Sequence, residues 1–207
     1  MIWVTIPIVI VAYLCRGYLA RIIFKEGSAE IALLFGLLAT AIFFRTMYTI
    51  MSRWFYAQKD TKTPLFVSIF TIVLNLVLAI VLSHPSVYGP PGLAMAVSIS
   101  AAAEVLLLGF IMVLRDRALL NMEFWSGVGR AISVGGFSML AGYVAVSTFP
   151  LGANDVGIIT LGSKLAFISL TTLGVHVAVS GLFGLDEARP IFTWIKRLIL
   201  RPIRGAY

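Results

Sequence analysis

The sequence predicts an all-α protein of the membrane, a polytopic bundle of about six transmembrane helices. Three observations lead there. Apolar residues make up 60% of the chain and charged residues 12%, against roughly 45–50% and about 25% in a soluble domain. The apolar residues fall in unbroken blocks near or above the roughly 18 residues that mark a span. Eleven of the sixteen lysines and arginines flank those blocks on what alternating topology makes a single side. Lipid outside and anionic headgroups at one face account for all three.

In order, the spans are read at about Ile2–Ile23, Ala29–Phe55, Pro64–Leu82, Pro91–Leu114, Gly129–Phe149 and Val156–Phe183. Together they form a bundle over residues 1–185, and a basic tail follows at 186–207. Pro7 falls near the start of the first span, where it is tolerated. Lys25, Glu26, Gly27 and Ser28 separate the first two spans, and Gln58–Pro64 the next two, with Pro64 suited to a helix's first turn. Pro85, Gly89, Pro90 and Pro91 cannot continue a helix through lipid and so end the third. Pro150–Asp155 is a turn, with Asp155 the expected N-cap of the sixth span. A membrane barrel would need segments of about ten residues in strict alternation. These blocks are longer and apolar on every face, so helices are preferred.

The second-to-third connection carries Arg53, Lys59 and Lys62, and the fourth-to-fifth carries Arg115, Arg117 and Arg130. The tail adds Arg189, Lys196, Arg197, Arg201 and Arg204. The basic side is expected to be cytoplasmic, and the C-terminus with it. In the tail, Ile191, Trp194, Ile195, Leu198 and Ile199 fall near one helical face. That pattern suits a short helix held at the interface by membrane lipids, or else a frayed basic tail that only fixes topology. The apolar run opens at Ile2 with no basic region before it and no cleavage site after it, so it does not read as a signal peptide. An incomplete chain is expected.

Polar groups at bilayer depth are costly unless paired or hydrated, and they are the candidates for function. Arg45 shares a stripe with Tyr48, Ser52 and Tyr56. It either faces a cavity and attracts an anionic headgroup such as a pyrophosphate, or snorkels to the surface. Glu104 follows Gly92, Ala96 and Ser100 at four-residue steps, a row that lets helices approach closely. It is expected to partner Arg45 or Lys164 in an ion pair, or to carry a coupling proton. Lys164 opens the sixth span near Thr171. His176 sits in a stripe of Ser169, Thr172 and Ser180, as a structural hydrogen-bonder or a proton relay. These four, Arg45, Glu104, Lys164 and His176, are the candidate substrate-binding residues. His84 is expected to be solvated, and Arg16 to reach the exterior headgroups.

Other classes are excluded. The basic residues are not interleaved with stacking aromatics, so no nucleic acid is expected as partner. Cys15, His84 and His176 cannot build a disulfide framework or a zinc site, and Cys15 reads as a small buried hydrophobe. The Gly127-Val128-Gly129 run lacks the third glycine of a dinucleotide fingerprint. No phosphate-cradling loop, paired acids with a histidine or nucleophile elbow appears, so neither an enzyme nor a cofactor is expected.

One stretch is more specific. Arg53-Trp54-Phe55-Tyr56-Ala57-Gln58-Lys59-Asp60-Thr61-Lys62-Thr63-Pro64 closely resembles the r-x-F-Y-A-x-x-D-T-x-T-P loop of the MurJ/MviN lipid II flippase family. This family belongs to the multidrug/oligosaccharidyl-lipid/polysaccharide exporter superfamily. Asn75, then Gly92-Leu93-Ala94-Met95-Ala96-Val97-Ser98-Ile99-Ser100 and the Phe24-Lys25-Glu26-Gly27 turn extend the likeness. It is strong from about residue 24 to 115, and only hydropathy and position agree beyond. The resemblance implies fourteen helices in two lobes, of which these six are the last, and an N-terminal lobe missing here. It implies a lipid-linked anionic substrate moved by alternating access, with the polyprenyl tail in a groove of the last two helices. Phe55, Tyr56, Ala57, Asp60, Thr63 and Pro64 would form a turn near the cytoplasmic gate. The family's headgroup arginines lie mainly outside this chain, so none is carried over. A non-transporting membrane subunit, or another exporter of the superfamily such as an O-antigen flippase or drug/cation antiporter, is the alternative.

Overall fold

The computed structural model describes residues 2–24, 29–152, 155, 157–189 and 193. Among them seven α-helices follow one another: α1 (Ile2–Leu14), α2 (Arg16–Phe24), α3 (Ala29–Ala57), α4 (Lys62–Leu82), α5 (Pro90–Arg115), α6 (Met122–Thr148) and α7 (Ile158–Leu182). Short 3₁₀ turns lie at Arg117–Leu120 and Asp186–Ala188, and no strand occurs among the described residues. Helices α3 to α7 are each long and apolar enough to cross a membrane, and α1 with α2 makes a sixth span if counted as one. The protein is a multi-pass membrane protein.

The first span differs from expectation: it is bent by 63° between α1 and α2. Tertiary contacts explain the bend. Cys15, at the break, is fully buried in a cluster with Tyr18, Ala145, Leu161 and Ile168. Beyond it the Tyr18 hydroxyl donates to the Phe149 carbonyl and Arg21 to that of Gly152. Hydrophobicity cannot register such a pull toward a distant loop. The Arg16 guanidinium stacks 4.5 Å from the Tyr13 ring centroid. Two further boundaries move. α6 begins at Met122, seven residues before the expected start, because the Asn121 side chain accepts from the Phe124 N–H as an N-cap. Asp155 does not cap α7, whose N-cap is Gly157; its carboxylate accepts from Gly152 N and Lys164 Nζ.

Helix α5 is the axis of the fold, packed between α3 and α4. Its buried residues include Gly92, Ala94, Ala96, Ser98, Ser100, Ala101 and Glu104. Small side chains bring the backbones close: the Ser98 hydroxyl lies 2.7 Å from the Leu37 carbonyl of α3. A Cβ on Gly92 would stand 2.0 Å from the Leu82 carbonyl oxygen of α4, so only glycine fits there. On the other side α1, α6 and α7 pack together, with α1 and α2 also touching α3. The tail residues from 190 on, apart from Thr193, lie outside the described residues, as does the Lys25–Ser28 connection.

Candidate functional site

Three helices build a polar cavity of about 210 Å³ inside the apolar bundle, lined by residues including Arg45 and Tyr48 of α3, Ser68, Thr71 and Asn75 of α4, and Ser100 and Glu104 of α5. The row Gly92, Ala96, Ser100 is what lets α5 lie close enough for its next polar position, Glu104, to be shared. The Glu104 side chain is only 5% exposed, whereas that of Arg45 is 61% exposed. Ser68 donates to Glu104 Oε1 at 2.8 Å, and the Tyr48 and Ser68 hydroxyls lie 2.8 Å apart. With a single proton on Ser68 directed at the carboxylate, Tyr48 donates to Ser68. Arg45 Nη1 stands 3.8 Å from Glu104 Oε2, a loose pair rather than a bidentate one. Asn75 Nδ2 donates to Ser100 Oγ at 2.8 Å.

The chemistry of this arrangement is asymmetric. A buried carboxylate is costly unless charge and hydrogen bonds compensate it. Glu104 has one hydroxyl and one distant guanidinium. Arg45, in turn, spends little of its hydrogen-bonding capacity on Glu104 and presents the rest outward, toward whatever anion or hydrated surface covers that face. The expected stripe along α3 does not persist. Ser52 is buried and donates to the Thr49 carbonyl, and Tyr56 is exposed.

Of the two partners expected for Glu104, the structure selects Arg45. Lys164 lies at the other end of the bundle, 2.5 Å from the Asp155 carboxylate and 3.0 Å from the Pro150 carbonyl. The Lys164 hydrogen bond, with the Gly152 N–H and then Arg21, holds Asp155 below the usual carboxylate range. Lys164 is thus part of a loop clasp, far from the polar cavity.

His176 is buried between α6, α7 and α1. Its Nδ1 lies 2.8 Å from Ser138 Oγ, which also lies 2.7 Å from the Val134 carbonyl. Ser138 has one proton, and directing it at Val134 makes Nδ1 the protonated nitrogen. The Trp3 ring packs at 5.2 Å, and its indole N–H donates to Ser180 at 2.7 Å. Among the described residues His176 Nε2 has no hydrogen-bond partner. It borders a larger cavity of about 670 Å³ whose walls include Ile6, Phe43, Met47, Val134 and, at the rim, Glu123 and Arg130. The candidate residues therefore occupy three places: Arg45 with Glu104, His176 alone, and Lys164 alone.

At the basic end the motif turn is closed by side chains. Asp60 N donates to the Phe55 carbonyl across the end of α3 with Lys59 at φ 60°, a left-handed capping turn. The Asp60 carboxylate accepts from the N–H groups of Lys62 and Thr63 and from the Thr63 hydroxyl. Arg115 of α5 reaches it at 2.6 Å, donates to Thr63 Oγ1 at 2.9 Å and lies 5.3 Å over the Phe55 ring. These bonds, from Thr63 first and Arg115 after, hold the Asp60 carboxyl well below its ordinary range. Phe55 and Pro64 are buried and Tyr56 and Ala57 exposed, so the motif clamps three helix ends together.

Sequence reasoning missed Ser68, Ser138 and Trp3. Ser68, Thr71 and Asn75 recur at helical spacing in a helix otherwise apolar, so a polar stripe on α4 was legible. Nothing marks Ser138 or Trp3 until α6 and α1 are packed on α7. Among the described residues no group of three or more His, Cys, Asp or Glu is placed to hold a metal ion.

Comparison with known proteins places these helices in a family. Searches of the curated proteins and of the solved structures returned no match. A family model described as lipid II flippase MurJ matches residues 1–160, which takes in the polar cavity, the motif turn and all of α6. With most of the chain covered, the protein belongs to the lipid II flippase MurJ family.

Proposed function

We propose that the chain is the C-terminal part of a lipid II flippase of the bacterial cytoplasmic membrane, working by alternating access. Its spans would be the last six of the family's fourteen, with the basic end and the C-terminus cytoplasmic. Arg45 would meet the diphosphate of the lipid-linked sugar. The polyprenyl chain would lie along α6 and α7, and an N-terminal lobe would supply the other wall of the transport cavity. The observation that carries the reading is Arg45: a guanidinium at bilayer depth, mostly exposed, backed by a buried carboxylate, within the residues that the family model covers. Such a charge is retained in lipid only where water or an anion reaches it.

Reconstitution tests it. Vesicles holding this chain alone are expected not to flip a fluorescent lipid-linked oligosaccharide, and addition of the first eight helices of a family member is expected to restore flipping. Arg45→Gln should then lower the rate about 10- to 100-fold, as loss of a charge-assisted hydrogen bond implies. Rapid flipping by the chain alone, or by the Arg45→Gln assembly, refutes the reading.

A further inference from the structure

We propose that anion binding at Arg45 is coupled to uptake of one proton by Glu104. The inference rests on the reading of Arg45 as the diphosphate contact. It follows from how few groups compensate Glu104. Of the described residues lining the cavity, Arg45 and Tyr48 on α3 are the only titratable groups besides Glu104 itself; α4 contributes Ser68, Thr71 and Asn75, and α5 Ser100. Among the described residues Arg45 is thus the single positive charge facing the carboxylate, at 3.8 Å.

An arriving diphosphate recruits the guanidinium more strongly than Glu104 does, because it offers several acceptor oxygens in the bidentate geometry that the pair here lacks. It also brings negative charge to the same face. Glu104 then has one hydroxyl bond, no counter-charge and a like charge nearby, and the ionised form is no longer sustained at that burial. A hydronium ion carried by water in the cavity breaks one O–H bond as an O–H bond forms on a Glu104 oxygen, leaving water, and no bond in the anion breaks. The hydroxyls are placed to follow the change. Ser68, donating to the carboxylate at 2.8 Å, turns to accept from the carboxylic acid and donates to Tyr48. Release of the anion returns Arg45 to Glu104 and expels the proton. Substrate binding and protonation are then one step, which ties the headgroup's side of the membrane to proton concentration on that side.

The test uses the 207-residue chain in lipid nanodiscs and a short-chain prenyl diphospho-sugar, a diphosphate diester whose own charges do not titrate near neutrality. Calorimetry in buffers of different ionisation enthalpy counts protons. Wild type is expected to take up about one proton per ligand near neutral pH, and its affinity to fall about tenfold per pH unit. Glu104→Gln should bind more tightly, with no proton uptake and no pH slope, and Glu104→Asp should regain both. Binding without uptake, or with equal uptake in Glu104→Gln, overturns the coupling and leaves the anion site standing. No binding by folded wild-type chain overturns both. The wild-type pH slope decides the question even if a variant fails to fold.

Discussion

Single side chains here act through what they lack as much as through what they touch. The buried Glu104 carboxyl is met by one serine hydroxyl and one guanidinium, so each matters more than in a fully bonded network. Ser68→Ala is expected to destabilise the chain by about 1–3 kcal/mol, the range for losing a hydrogen bond to a buried charged group. Reversible denaturant unfolding in detergent would measure it, and an unchanged midpoint would show that the carboxylate finds another donor. Asp60 makes a pH-dependent contribution. Its folded carboxyl titrates below the ordinary value of 3.8, so the clamp's stabilisation is complete above about that pH and fades as pH falls toward the folded value. Asp60→Asn should therefore lower the melting temperature at neutral pH. The gap to wild type should narrow below about pH 3.8, as thermal scans across pH would record.

Helices are positioned by their small residues and their ends. The approach of α5 to α4 depends on Gly92, whose Cβ would meet backbone atoms of Leu82 and Ser83 at 2.0–2.9 Å. Backbone cannot yield as a side chain can, so Gly92→Ala should cost about 3 kcal/mol or more and open the polar cavity. Gly127 in α6 has nothing within 4 Å of a built Cβ. Gly127→Ala should be neutral or stabilise by up to about 1 kcal/mol through helix propensity. Measured side by side, the two alanines separate close packing from intrinsic glycine cost. The bend after α1 belongs to the same scale. Bonds from Tyr18 and Arg21 to the loop beyond α6 hold α2 at its angle, so the span breaks where contacts require it.

Over the whole molecule, charge and fold agree on one end. The motif turn, the α5–α6 connection and the residues just after α7, to Arg189, share one end of the bundle, the end that the proposed function puts in the cytoplasm. Cysteine labelling offers a direct check, since the native Cys15 is fully buried and should give little background. In intact cells Gln58→Cys should resist a membrane-impermeant maleimide, and Ser86→Cys in the exposed α4–α5 loop should react. The reverse pattern would invert the orientation and place the Arg45 cavity in the other leaflet.

How much of this was legible beforehand depends on the range of the forces involved. Helical class, span number and the sidedness of charge follow from hydrocarbon-length apolar runs and their basic flanks, because transfer to lipid acts on each segment separately. The small-residue row ahead of Glu104 was readable for the same reason, as a property of one helix face. Partnership was not. Arg45 and Lys164 look alike along the chain, and only packing α3 and α5 side by side while leaving α7 elsewhere gives Glu104 to the first. The same holds for Ser68, for the orphaned nitrogen of His176 and for the bend at Cys15. Each is settled by hydrogen bonds and contacts a few ångströms long between residues far apart in sequence, which become defined only when the helices are packed.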